Sequence, residues 1–202
     1  MINKSQIYKH GNYQYKNFIL LSKEEKEMIW MWRNHNNVRK WMYNSELIPW
    51  ENHLKFIASL KQRTDCYYWL VYKNEQPYGV VNITDIDEEK RIAEIGLYRN
   101  PSLQDNGGGL DFYFTYFDFL FFSTGFEILK AGMSPYNSIA ILLNSFLGFK
   151  YTAVKADSKG NLFYEAICTK KDIEKEWETK NNLRAMLKYL KSSSFAEWKK
   201  ER

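Results

Sequence analysis

Cysteine and histidine are scarce in this chain, which has two of the first, Cys66 and Cys168, and three of the second among 202 residues. The cysteines lie far apart without Cys-x-x-Cys spacing, so no zinc-ligand pattern forms, and free thiols suit a reducing compartment. No apolar run approaches a membrane span, and the N-terminus lacks the apolar core of a secretory leader. The expectation is a cytoplasmic protein with no metal and no membrane partner. A large excess of one charge is missing too. The net charge is +5, from 29 Lys and Arg against 24 Asp and Glu, and the basic residues are mostly interleaved with Glu. That balance tolerates an anionic small ligand and does not call for nucleic acid. Two phosphate-binding signatures are also absent. A Walker loop needs Gly-Lys-Ser/Thr after its glycines, whereas Leu110-Asp111 follows here. A dinucleotide fingerprint needs Gly-x-Gly-x-x-Gly and an acid closing the next strand, whereas Ser134-Pro135 stands there.

Aromatics are plentiful, at 17% of residues, and suit both a core and a flat-walled pocket. The length fits one domain with one well-buried core. The most informative stretch is Gln104-Asp105-Asn106-Gly107-Gly108-Gly109. It follows a period-two run at 91–98 and precedes a helical pattern in which Asp111, Thr115 and Asp118 share one face. Glycines at such a junction let loop and helix N–H groups converge on a phosphate. Around this loop, residues 18–21 read as a short strand, and Ser22 to Glu25 as a capping box opening a helix to about His35. Pro49 begins a second helix with Trp50, His53, Leu54 and Ile57 on one face. Strands are expected at 67–72, 79–86, 91–98, 126–133, 149–156 and 162–169. Asn137 caps a helix over 138–147 that Gly148 ends. Leu183, Met186, Leu187 and Leu190 fall in register on a C-terminal helix. On the 91–98 strand Ala93, Ile95 and Leu97 share the core face. Glu94, Gly96 and Tyr98 share the other, where Gly96 removes bulk as a close-lying ligand requires.

The order of elements, with Gln104-x-x-Gly107-x-Gly109, Asn137-x-x-Ala140 and Leu147-Gly148-Phe149, resembles the GNAT acyltransferase superfamily. The resemblance implies an α/β (α+β) fold with a mixed, mostly antiparallel sheet of about seven strands flanked by helices. It places the acyltransferase domain at 1–170 and a helical extension packed on it at 171–202. It implies acyl-CoA as co-substrate. The pyrophosphate would lie on Gly107, Gly108 and Gly109, with Gln104, Asn106, Leu110 and Asn137 beside it. The main chain of Ile95, Gly96, Leu97 and Tyr98 would pair with the pantetheine amides like an added strand. Glu94 stands where many GNAT enzymes carry a general base. Asn144 stands where they carry a tyrosine that protonates the departing thiolate, and an amide can only hydrogen-bond the sulfur.

Within the superfamily, Arg33-Asn34-His35, Trp41-Met42-Tyr43 and His53-Leu54-x-Phe56-Ile57 look like the PseH-like nucleotide-sugar N-acetyltransferases. This implies acceptor contacts from Arg33, Asn34, His35, Trp41, Tyr43, Trp50 and His53. The implied reaction moves an acetyl or 3-hydroxybutyryl group from acyl-CoA to the amine of a UDP- or dTDP-linked amino-dideoxyhexose, in surface-polysaccharide or glycan synthesis. A homodimer is compatible with it. Rival readings are a protein N-terminus or aminoglycoside acceptor, and a degenerate CoA-binding module. The same residues have structural readings: Glu94 paired with Arg91 or Lys90 on the surface, His53 and any one tryptophan in the core, His35 as a cap, Asn144 as a solvated helix residue.

Overall fold

The computed structural model describes residues 2–103, 108–156 and 160–179. One sheet of eight strands runs in the order β1-β2-β3-β4-β5-β6-β8-β7. The strands are β1 (Tyr8–His10), β2 (Tyr13–Asn17), β3 (Tyr67–Lys73), β4 (Gln76–Asp87), β5 (Ile92–Arg99), β6 (Ile128–Met133), β7 (Lys150–Ala156) and β8 (Leu162–Thr169). The helices are α1 (Lys23–Asn34), α2 (Asn36–Arg39), α3 (Trp50–Ser59), α4 (Gly108–Asp118), α5 (Ser138–Phe146) and α6 (Lys170–Thr179).

Alternation sorts the sheet into two faces. On one, Tyr15, Trp69, Val81, Ala93 and Leu129 pack with the α4 aromatics Phe112, Tyr116 and Phe117. On the other, Leu70 and Val80 meet Ile29 and Trp32 of α1 and Ile57 of α3. Most of the buried aromatic side chains lie in the first layer, where Tyr15 stacks on Phe119 at 4.4 Å between ring centroids. The polar stripe of α4 is an anchor for the sheet edge. Asp111 accepts from the Tyr13 hydroxyl at 2.8 Å and lies 3.4 Å from Lys73 Nζ, and Asp118 meets His10 Nε2 at 2.6 Å.

The Ser22 capping box forms as expected, with Glu25 N donating to Ser22 Oγ and Ser22 N to the Glu25 carboxylate. Asn137 caps α5 through Ala140 N, and Gly148 beyond it adopts φ 90°. The N-terminal segment differs from expectation. Residues 18–21 are not a strand: Phe18–Leu20 is a 3-10 turn capped by Asn17. Pairing instead lies upstream in a hairpin turned at Gly11 (φ 56°), with Tyr13, Tyr15 and Asn17 buried. That hairpin makes the sheet eight strands. In the C-terminal part, α6 follows β8 directly and buries Ile173. Leu183, Met186, Leu187 and Leu190 lie outside the described residues. No helix among the described residues is long and apolar enough to cross a membrane.

One irregularity positions the site. β5 and β6 are parallel, and their ladder covers only Ile92 opposite Ile128 through Ile95 opposite Ala131. Beyond it β5 stays with β4 as far as Arg99, and β6 stays with β8 as far as Met133. The sheet therefore splits at the C-terminal ends of these two strands, leaving Gly96–Arg99 with an edge to which no described strand is added.

Candidate active site

Glu94 lies beside this split. Ala93 and Ile95 are buried on the α4 face, so the alternation of β5 turns Glu94 to the α1–α3 face, between Thr84 of β4 and Lys130 of β6. Arg91 pairs with Glu127 and Lys90 with Asp87, so neither holds Glu94 as a surface ion pair. Its carboxylate Oε1 accepts a hydrogen bond from the Tyr43 hydroxyl at 3.0 Å. Burial pushes the Glu94 pKa above the ordinary carboxylate value. Asp85 and Glu165 add to the rise, while the Tyr43 hydrogen bond and Lys130 oppose it. A carboxyl so placed is a proton acceptor closer in strength to an amine than a surface glutamate is.

The segment between α2 and α3 crosses over this face and is fastened from below. Asn34 grips Ile48 twice, accepting from its N–H at 2.8 Å and donating to its carbonyl at 3.0 Å. Trp30 Nε1 donates to the same carbonyl at 2.7 Å. Arg33 Nη2 donates to Asn44 O at 2.7 Å, while its buried Nη1 has no hydrogen-bond partner among the described residues. Burial lowers the Arg33 pKa, and the nearby Tyr98 and Tyr68 hydroxyls oppose that.

No family model matches the chain. It is 37% identical over 92 residues to the acetyltransferase PseH of two Campylobacter jejuni strains, an overlap covering 46% of this chain and 57% of those relatives' length. The crystal structure of Campylobacter jejuni PseH with acetyl coenzyme A superposes with a TM-score of 0.62 at 27% identity, over 78% of this chain and 99% of that one. This chain has the GNAT fold. Spermidine N-acetyltransferase of Vibrio cholerae, with CoA and spermine, shares it at a TM-score of 0.70 and 12% identity, over 80% of this chain and 98% of that one.

Against the GNAT pattern, the predicted acceptor residues divide. Arg33 and Tyr43 reach the Glu94 face, and Trp41 is half-exposed with Lys40 Nζ 4.9 Å from its ring centroid. Asn34 is the loop clamp just described. His35 caps α2, its Nδ1 accepting from Asn37 N at 3.2 Å. His53 is buried, stacks on Trp50, and directs Nε2 at Lys26 O at 3.1 Å, so this nitrogen carries the proton. Burial lowers its pKa, which keeps the ring neutral. Trp50 packs edge-on against Trp30. Asn34, His35 and His53 spend hydrogen-bonding atoms on the scaffold, and Trp50 packs its ring against it.

Of the CoA-loop residues, Gln104, Asn106 and Gly107 lie outside the described residues. Gly108 and Gly109 open α4, and Leu110 packs on the core behind them. A Cβ on Gly109 would stand 3.1 Å from Arg99 Nη1. Ile95 is buried, and Gly96, Leu97 and Tyr98 follow it along the free edge of β5. The space beside Gly96 is not an open slot: a Cβ there would lie 2.6 Å from Asn82 Oδ1, so the glycine admits the cross-strand asparagine.

Asn144 departs from expectation in a second way. It is buried rather than solvated, and its Nδ2 donates to Ala140 O at 2.9 Å and approaches Met133 Sδ at 3.5 Å. With both amide hydrogens directed at protein atoms, it has none to offer a CoA sulfur. Sequence reasoning also missed two residues, Gly132 and Phe163, that pack against Tyr43 beside Glu94. Both sit in strands otherwise read only as core, and no local signal marks them.

Proposed function

We propose that this chain is an acetyl-CoA-dependent N-acetyltransferase whose acceptor is the amine of a nucleotide-linked amino sugar. The observation that carries the reading is Glu94, a half-buried carboxyl of raised pKa beside the split between β5 and β6. The edge of β5 over Gly96–Tyr98, beyond its ladder with β6, supplies N–H and C=O groups for the pantetheine arm, and the N-terminus of α4 supplies amides for the pyrophosphate. Glu94 takes the proton from the acceptor ammonium, directly or through a water. The neutral amine then attacks the thioester carbonyl to give a zwitterionic tetrahedral intermediate. This intermediate loses its second amine proton to water and breaks the C–S bond, leaving the amide and CoA thiolate. The commitment of Asn144 to Ala140 and Met133 removes its amide as a donor to the thiolate. A thiolate is a tolerable leaving group near neutral pH, so alignment of amine and thioester supplies much of the rate.

Both substrates are charged and membrane-impermeant, so the proposed reaction belongs in the cytoplasm. Resemblance to the PseH proteins supports the nucleotide-sugar acceptor, and acetyl is the group named for those relatives. The test is release of free thiol from acetyl-CoA and 3-hydroxybutyryl-CoA against a panel of UDP- and dTDP-linked amino-dideoxyhexoses, free amino sugars, polyamines and peptide N-termini. Preference for a nucleotide-linked amine is expected. Equal or better turnover of the unlinked amines would remove the acceptor assignment.

A further inference from the structure

Tyr43 meets the sheet through three contacts, and only one of them is its hydrogen bond to Glu94. Its ring packs edge-on against Phe163 of β8, with 4.4 Å between centroids and 61° between planes. Beneath its hydroxyl is Gly132 of β6. An ideal Cβ at 132 would fall 1.4 Å from the Tyr43 oxygen, so the hydroxyl fills the volume that a side chain there would occupy. On β6 Leu129, Ala131 and Met133 turn to the buried α4 face, which leaves position 132 on the Glu94 face. Glycine there makes a notch, and the notch fits one phenolic oxygen.

The segment carrying Tyr43 is tied down on both sides, before it by Trp41 N donating to Val38 O and Met42 N to Arg39 O, and after it by side chains of α1 and α2. Arg33 holds Asn44 O, Arg39 donates to Ser45 O at 2.8 Å, and Asn34 and Trp30 hold Ile48. These bonds fix the backbone around a side chain that is itself 53% exposed. A tyrosine kept only to stack on a ligand needs neither a notch under its oxygen nor a carboxylate in front of it.

We infer that Tyr43, seated in the notch at Gly132, is a positioning residue that orients the Glu94 carboxylate. The inference rests on the proposed role of Glu94 as base, while the seat itself does not depend on which amine is the acceptor. Oε1 is engaged by the phenol, and Oε2 is the oxygen directed to an amine or water. The other charged groups around Glu94 are Asp85 of β4, Lys130 of β6, Glu165 of β8 and, behind Glu165, Lys155 of β7. Among the groups facing Glu94, Tyr43 supplies the hydrogen bond that favours the charged carboxylate, so its removal raises the Glu94 pKa.

Two variants separate the hydroxyl from the ring. Tyr43→Phe keeps the packing on Phe163 and deletes the donor. Gly132→Ala puts a methyl group where the hydroxyl sits and displaces an intact tyrosine. In the ligand-free full chain, the Glu94 midpoint is read by NMR of 13Cδ-labelled glutamate, with the signal assigned by its loss in Glu94→Gln. Both variants are expected to move that midpoint upward. In the transfer assay the acidic limb of the kcat profile moves with it, with acetyl-CoA KM unchanged and kcat lowered roughly tenfold, the size of one hydrogen bond to a charged group. An unchanged midpoint in folded Tyr43→Phe overturns the inference, whether or not the wild type transfers acetyl. Shifted midpoints in a wild-type background that acetylates no amine would support the coupling and defeat the enzyme reading instead.

Discussion

Glu94→Gln is the substitution that isolates the base from its setting. The amide is isosteric with the carboxylate, and its oxygen can still accept from the Tyr43 hydroxyl now 3.0 Å away. Position, packing and substrate access are therefore retained, and only the ability to take a proton is lost. General-base catalysis contributes typically 10²- to 10⁴-fold, so kcat for acetyl transfer should fall by about 10²-fold or more, some 2.7 kcal/mol of barrier, with little change in either KM. The deficit should shrink as pH rises toward the acceptor amine's own pKa, because a larger fraction of the amine then arrives neutral. Stability should move the other way. Glu94 has a folded pKa above its unfolded value, so the folded state holds more protons in the window between them, and stability falls as pH rises through that window. Above the window the wild type carries the full cost of a half-buried charge. Glu94→Gln removes that cost, and its melting temperature at pH 7 should equal or exceed the wild-type value, converging with it below the ordinary glutamate pKa. Turnover and thermal melting across pH 4 to 9 test both halves. A variant within about threefold of wild-type kcat, far short of the effect of a lost general base, would remove Glu94 from the chemistry.

Gly109→Val should weaken acetyl-CoA binding by roughly tenfold or more, the loss of one amide hydrogen bond to a charged group, with an unchanged circular dichroism spectrum. Unaltered affinity by calorimetry would detach the α4 N-terminus from CoA. Tyr15→Phe removes a fully buried hydroxyl that has no hydrogen-bond partner among the described residues while keeping the stack on Phe119. It should raise unfolding free energy in urea by about 1 kcal/mol, the lower end of the cost of an unsatisfied buried group, and a loss of stability would mean that the hydroxyl is bonded in solution. Trp41→Ala should raise the acceptor KM by about 5- to 150-fold and leave CoA binding alone, the range of one base–aromatic stack. Trp50→Ala should instead lower the melting temperature, because Trp50 packs on Trp30 and His53.

Local signals in the sequence reached most of the fold. The Ser22 capping box, the Asn137 cap and the alternation around Glu94 each depend on residues within a few positions of one another, and each appears where expected. The N-terminal hairpin was not legible because its support comes from far along the chain. Tyr13 bonds Asp111 and His10 bonds Asp118, 98 and 108 residues away. Residues 18–21 had the composition of a strand, but Asn17 caps a turn there and Ser22 opens α1, leaving no length to pair. The site follows the same rule. His35 and His53 are acceptor candidates through the resemblance alone, and the structure gives them the cap and core places that their local sequence also allowed. The contact that defines the surroundings of Glu94 joins residues 51 apart and lands in a notch visible only once β6 lies beside β5.

The charges on the α1–α3 face bear on which amine fits. Arg33 presents a buried Nη1 with no hydrogen-bond partner among the described residues, close enough to Tyr98 for the phenol to influence its titration. Glu94 is the acidic counterpart on the same face of β5, four residues from Tyr98, or roughly 13 Å along an extended strand. An uncompensated half-buried cation is costly in a way that an orphan hydroxyl is not, because a charge loses far more solvation than a neutral group. A ligand that relieves Arg33 therefore carries negative charge at one end, and one that uses Glu94 carries an ammonium at the other. A polyamine is cationic throughout and would meet Arg33 with like charge. The proposed nucleotide-linked amino sugar carries phosphates towards one end and an amine at the other, a charge pattern of the same sense as that of Arg33 and Glu94. Replacing Arg33 by Met should on this ground raise the KM for a nucleotide-linked acceptor and leave that for its unlinked sugar unchanged. An equal effect on both would mean that Arg33 serves only to hold Asn44.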